Sequence, residues 1–131
     1  CSPRLGAGAG NDLGQFVRSH PLLHVRQGED LYQCWSIFAA QSGLEDMPVD
    51  RGIVLETADL VIESAINDSG VGMLDPRLIP EELKSGRLVT PFKTAVKSGR
   101  SYFLVSRVEE IEIPRIAAFR AWVIEQFAKA N

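Results

Sequence analysis

Cysteine is scarce in this sequence. Two in 131 residues cannot make a disulfide scaffold, and Cys1 and Cys34 lack the spacing of a zinc site, which needs four ligands in close clusters. Positive charge is also in short supply. Fourteen Lys and Arg against seventeen Asp and Glu give a net charge of -3, which excludes a strongly basic, free-standing nucleic-acid binder and points to small molecules or proteins. No apolar run approaches the ~20 residues of a membrane span, and no signal peptide opens the chain. Nor is there a Walker-type phosphate loop or a Gly-x-Ser-x-Gly nucleophile elbow. Cys34 lies among Tyr32, Trp35, Ile37 and Phe38, where a buried reduced thiol is expected; the reducing compartment this implies is the cytoplasm.

What is present is ordinary globular material, 45% apolar and 24% charged, of a length that predicts about one domain. A domain of this size buries roughly two-thirds of its unfolded surface and needs no metal or staple. Cys1-Ser2-Pro3-Arg4 reads as a segment leaving a strand, so the chain is expected to be a piece of something longer.

After a glycine-alanine stretch (Gly6 to Gly10), Asn11 or Asp12 caps a short helix through Arg18, which Pro21 ends. Leu22–Arg26 has strand length. Gly28-Glu29-Asp30 then caps a helix whose Leu31, Trp35, Phe38 and Ala39 share one face, with Gly43 as its C-cap. Gly52–Glu56 is a nearly continuous apolar strand of the kind covered on both faces. Thr57 caps the helix that follows, burying Val61, Ile62, Ala65 and Ile66 and leaving Asp59, Glu63 and Asn67 wet. Val71–Leu74, Arg87–Phe92 and Tyr102–Arg107 read as further strands. The last helix opens near Ile113-Pro114 and carries the stripe Ile116, Phe119, Val123 and Phe127. Strands alternating with helices predict an α/β fold with largely parallel pairing.

Catalytic and metal motifs are weak. Gly70-Val71-Gly72 leads from helix into strand, the reverse of a dinucleotide fingerprint, and reads better as a C-cap before a tightly packed strand. His20 and His24 are four apart, but Pro21 lies between them and further ligands are missing, so no metal is expected. Glu45, Asp46 and Asp50 lack a calcium loop's regular spacing and read as a solvated acidic turn. Arg87, Lys93, Lys97 and Arg100 read as a solvated basic edge rather than an anion site, and Trp122 as packing or an association surface.

One arrangement does suggest binding. In open α/β sheets ligands sit beyond the carboxyl ends of strands, where helix N-termini present free N–H groups. Gly52–Glu56 feeds directly into the Thr57-capped helix, and Thr57 can offer a hydroxyl and nearby backbone donors to a polar ligand. Asp59 competes with an anion for the same helix end, which favours an amide, a zwitterion or a hydroxylated ligand. A plain N-cap with no ligand is the alternative.

Taken in order, these segments resemble the C-terminal part of a LysR-type transcriptional regulator, over nearly the whole chain. Cys1-Ser2-Pro3-Arg4-Leu5 resembles that family's strand exit and His20-Pro21-Leu22-Leu23-His24-Val25 its next strand. Tyr32-Gln33-Cys34-Trp35 matches a pair of aromatics spaced by three, with Tyr32 where tryptophan is more usual. Ser85-Gly86-Arg87-Leu88-Val89-Thr90-Pro91-Phe92 is the most specific string. Ser101-Tyr102-Phe103-Leu104-Val105 and Ala118-Phe119-Arg120-Ala121-Trp122 follow at the expected distances. The nearest subgroup is that of the glycine-cleavage and β-lactamase regulators.

The resemblance implies a two-lobed effector-binding domain similar to type 2 periplasmic binding proteins, with an inducer between the lobes. Residues 1–100 would form the second lobe, a Rossmann-like unit with a mixed sheet. Residues 101–131 would supply the crossing strand and C-terminal helix of the first lobe. It implies ligand contacts at Thr57, at Tyr102 on the crossing strand and, less directly, at Arg26. Ala58 and Asp59 depart from the small hydroxyl residues often found there. The family's winged helix-turn-helix domain is not in this chain, so DNA would be reached only through it. The implied module has no catalytic residue and no cofactor, and the final apolar stripe would pair with, or be exchanged between, copies of a homo-oligomer. Two rivals stand beside this reading. One is a transport or storage binding protein of the same fold. The other is a small α/β enzyme using Asp59 or Glu63 as a base beside Thr57.

Overall fold

The computed structural model describes residues 1–27, 30–31, 33–44, 46–98 and 103–129. The chain forms two compact units, Cys1–Ser98 and Gly99–Asn131. The first unit runs α1 (Pro3–Gly6), α2 (Leu13–Arg18), β1 (Leu22–Gln27), β2 (Asp30–Leu31), α3 (Cys34–Gln41), β3 (Gly52–Leu55), α4 (Ala58–Ile66) and β4 (Val71–Gly72). A 3-10 turn (Pro76–Leu78) and α5 (Pro80–Lys84) follow.

Strand β1 is the pivot. It pairs in parallel with β3 (Leu22 opposite Gly52, Val25 opposite Leu55) and, through Leu22 and Leu23, with β4. Because Leu22 has a partner in both, β3 and β4 flank it on opposite sides. Its last residues, Arg26 and Gln27, pair antiparallel with β2, so the sheet is mixed. Parallel neighbours require a crossover, and α3 and α4 supply them.

Alternation along β1 divides the core. Leu22 (3% exposed) packs with Phe16, Val17, Trp35, Phe38, Met47 and Val71, whereas Leu23 (1%) packs with Val61, Ala65, Ile79 and Leu88. Helices α2 and α3 thus cover one face and α4 the other, the expected α/β arrangement. Trp35 fixes α3 to the sheet by donating its indole N–H to the Leu23 carbonyl at 3.0 Å. Two glycines let the flanking strands close on β1. A Cβ at Gly52 (φ +142°) would lie 1.9 Å from the Leu22 carbonyl oxygen, and one at Gly70 would lie 2.3 Å from that of Pro21.

Several local expectations held. Asp12 caps α2 through Gln15 N–H, and Thr57 caps α4. Gly43 takes φ +67° just past α3. Val61 and Ala65 are buried, and Asp59, Glu63 and Asn67 are at least partly exposed. Cys34 is a buried free thiol, and burial pushes its pKa up.

Pro3–Gly6 forms a helical turn capped by Ser2, because proline suits the first helical position and the Ser2 hydroxyl accepts from Leu5 N–H. Other expectations need correction. Helix α3 begins only at Cys34, since Asp30–Leu31 pairs with the end of β1 instead. Strand β3 forms but is only partly covered. Ile53 and Val54 are each 39% exposed, because β3 is an edge of the sheet among the described residues. Val71–Leu74 contributes only Val71–Gly72 as strand. Arg87–Phe92 forms no strand either; Leu88 is buried, and Val89 bonds reciprocally with Cys1 (3.2 and 2.8 Å) without propagating a ladder.

In the second unit, residues 103–107 form no strand: strand propensity cannot be satisfied without a neighbouring strand, and Phe103 and Val105 are more than four-fifths exposed. A 3-10 turn (Val108–Glu110) leads to α6 (Pro114–Lys129), which opens with proline as expected. No residue of α6 is buried. Phe119 and Phe127 are more than half exposed, and the Phe119 and Trp122 rings stack at 5.9 Å.

Candidate binding site at the carboxyl edge of the sheet

The residues singled out for ligand contact depend on where β1 and β3 end. Strand β3 stops at Leu55, Glu56 bridges, and Thr57 (φ -138°, ψ 159°) turns the chain into α4. Its Oγ1 accepts from Leu60 N–H at 3.3 Å, satisfying one of the donors that every helix start leaves without an intrahelical partner. The hydroxyl proton is not used in that bond. Thr57 is exposed, and the N–H groups of Ala58 and Asp59 begin the helix beside it. Asp59 is exposed in this first turn, so its charge lies at the helix end that would otherwise favour an anion.

Register brings the second residue in. Val25 lies opposite Leu55, so the residues that follow them, Arg26 and Glu56, meet across the edge. The Arg26 guanidinium donates from Nε to Glu56 Oε1 at 2.8 Å, with the side chains 43% and 67% exposed. Arg26 is therefore paired with the residue next to Thr57, with its terminal nitrogens outside that bond. Glu56 is the site residue that sequence reasoning missed. Two parallel strands in register place their terminal residues side by side, so Glu56 comes into view once that register is known. Tyr102 lies outside the described residues.

Of the other candidates, Glu45 and Arg100 lie outside the described residues, and His20, His24 and Arg87 have partners within the fold. His20 lies against the Phe16 ring at 4.5 Å, and its Nδ1 bonds the Phe16 carbonyl at 2.8 Å. His24 is 2% exposed, with Nε2 3.2 Å from the Arg51 carbonyl, so the two rings serve different partners. Among the described residues no three His, Cys, Asp or Glu side chains gather as metal ligands, and no helix is long and apolar enough to cross a membrane. Arg87 pairs with Glu82 at 2.7 Å. A concavity of about 730 Å³ lies elsewhere, lined by Ala9, Asp12, Gln15, Phe16, Ser42 and Leu44. A smaller one of about 260 Å³ includes His20, Met47, Arg51 and Gly52. The carboxyl edge carrying Arg26 and Thr57 is open surface rather than either of these pockets.

Comparison with known proteins places this fold in a family. The family model described as the LysR substrate binding domain matches residues 5–128. The chain is 31% identical over 129 residues to the glycine cleavage system transcriptional activator of Escherichia coli (strain K12), covering 98% of this chain and 41% of that protein. It is 32% identical over 111 residues to the HTH-type transcriptional regulator DsdC of the same organism (80% and 34% covered). It is 29% identical over 110 residues to the HTH-type transcriptional activator AmpR of Pseudomonas aeruginosa (83% and 36% covered). The chain thus spans about two-fifths of these relatives' length or less. No solved structure gives a significant match. With its helix-covered parallel strands and a family match over nearly its whole length, the chain belongs to the LysR substrate binding domain family.

Proposed function

We propose that this chain is the small-molecule-sensing module of a bacterial-type transcription regulator, and that it carries out no catalysis. The observation that carries the reading is the meeting of Arg26, Glu56 and Thr57 at the carboxyl edge of β1 and β3, where an α/β sheet offers donors to a ligand. A polar effector, either zwitterionic or carrying an amide, suits a helix end that already holds Asp59. Thr57 would donate its hydroxyl, Arg26 would meet a carboxylate or carbonyl, and Tyr102 stays with the proposal as the third contact. Residues 1–100 would act as one lobe and 101–131 as the returning strand and helix of the other.

Effector binding would regulate by favouring one lobe arrangement, which requires unequal affinity for the two. DNA would be contacted by a helix-turn-helix domain outside this chain, in the cytoplasm. The regulator would act as a homo-oligomer in which the apolar stripe of α6 pairs with, or is exchanged for, that of another copy. A monodisperse monomer by light scattering at high concentration contradicts that last element. A thermal-shift screen of amino acids, amides and peptidoglycan-like fragments on the parent chain and Thr57→Ala tests the site. Stabilisation of the parent that is lost in the variant supports it, and equal shifts in both remove Thr57 from it.

A further inference from the structure

The C-terminal end of α4 holds a backbone conformation that its residue disfavours. Asp68 has φ +61° and is the sole non-glycine residue in the left-handed region among those described. Glycine adopts this conformation without the Cβ clash that an aspartate incurs. A side chain kept where glycine would be cheaper points to the carboxylate itself.

Both carboxylate oxygens are engaged by the opening segment of the chain. The Ser2 hydroxyl donates to Oδ1, and Arg4 Nε pairs with Oδ2 at 2.9 Å. Ser2 is 3% exposed, and its Oγ also accepts from Leu5 N–H at 3.3 Å, so one buried hydroxyl caps α1 and anchors it to the end of α4. On its other side the segment is held by the reciprocal bonds of Cys1 and Val89, and a Cβ on Gly6 would lie 2.6 Å from Val89 Cγ2. The backbone N–H groups of residues 6–9 bond only within the segment, Gly6 to Ser2, Ala7 to Pro3, Gly8 to Leu5 and Ala9 to Gly6.

We propose that Asp68 is a latch, fixing residues 1–9 to the far end of the helix that begins after Thr57, so that this segment and α4 move as one body. Its use rests on the sensing reading: an effector that displaced the Thr57 end of α4 would pull on the opening segment of this unit. The latch itself is defined without any effector.

Hydrogen exchange on this chain tests it, comparing the parent with Asp68→Gly, Asp68→Asn and Arg4→Gln. Glycine relieves the backbone while deleting both contacts, so the Leu5–Ala9 amides should exchange about tenfold faster in Asp68→Gly, the size expected for losing hydrogen bonds to a charged group. The β1 amides Leu22–Val25 should be unchanged. An asparagine side chain at this position can still accept from Ser2, so Asp68→Asn should fall between. Arg4, 76% exposed, should contribute about twofold when changed to Gln, a substitution that leaves the fold intact. Unchanged exchange at residues 5–9 in Asp68→Gly overturns the latch, as does an equal acceleration of these amides and β1. With no effector in the assay, either result leaves the sensing reading standing.

Discussion

Arg26 and Glu56, thirty residues apart in sequence, meet Nε to Oε1 at 2.8 Å across the ends of two parallel strands. Both side chains are substantially exposed, so the pair orients more than it stabilises. A double-mutant cycle with Arg26→Gln and Glu56→Gln, read by urea unfolding, should give a coupling of about 0.2–1 kcal/mol that shrinks in salt of about 1 M. A larger, salt-insensitive coupling would show the pair to be part of the stability core instead.

Trp35 is the opposite case, 2% exposed with its one N–H spent on the Leu23 carbonyl. Trp35→Phe keeps much of the apolar volume but leaves a buried carbonyl without its donor, so unfolding should cost about 1–3 kcal/mol less than in the parent. Trp35→Ala adds a cavity and should lose about 3–5 kcal/mol. Denaturant midpoints followed by circular dichroism distinguish the two.

Gly52 and Gly43 both have positive φ, yet they should respond differently to alanine. At Gly43 nothing lies within 4 Å of a built Cβ, so only the left-handed backbone is disfavoured, at about 1–2 kcal/mol. At Gly52 the Cβ would sit 1.9 Å from the Leu22 carbonyl oxygen, and β1 and β3 cannot pair around it. Gly52→Ala should therefore abolish cooperative unfolding, while Gly43→Ala should only shift its midpoint.

The Asp68 carboxyl is held below the usual carboxylate range, first by the Ser2 hydroxyl and then by the charge of Arg4. A depressed pKa adds stability that is present above the unfolded value of about 3.9 and is lost as pH falls through the folded value. Parent and Asp68→Asn should thus differ by a constant margin at neutral pH, and the margin should close in acid below about pH 3.9. Urea titrations at stepped pH measure it. A margin that persists to the lowest pH would mean that the charge is not what Asp68 contributes.

Much of the fold was legible because local chemistry and tertiary packing agree there. Asp12, Thr57 and Gly43 end their helices as their side chains or lack of one dictate, and Val61 and Ala65 lie on the face that α4's periodicity selects. The strands that did not form share one cause: a run with strand propensity becomes a strand only if a neighbour is there to bond it. Leu22–Gln27 has strands on both sides, whereas Arg87–Phe92 and residues 103–107 pair with no strand among the described residues; Val89 bonds the backbone of Cys1 and Leu88 that of Glu82 instead. Ile53 and Val54 read as buried because their run is apolar, but an edge position leaves them partly wet. At the site, Thr57 was legible as a cap, while Glu56 became visible only once the β1–β3 register was fixed.

Recognition of a small polar effector where Arg26 meets the start of α4 is tested most directly by amide NMR of the labelled chain, titrated with amino acids and small amides. Saturable shifts are predicted at the Thr57, Ala58, Asp59 and Leu60 amides and at the Arg26 Nε–H, with apparent affinity reduced by about tenfold or more in Thr57→Val, the loss of a hydrogen bond worth about 1.4 kcal/mol. Shifts centred instead on the 730 Å³ concavity around Asp12, Gln15 and Ser42, or unaltered by Thr57→Val, would contradict it.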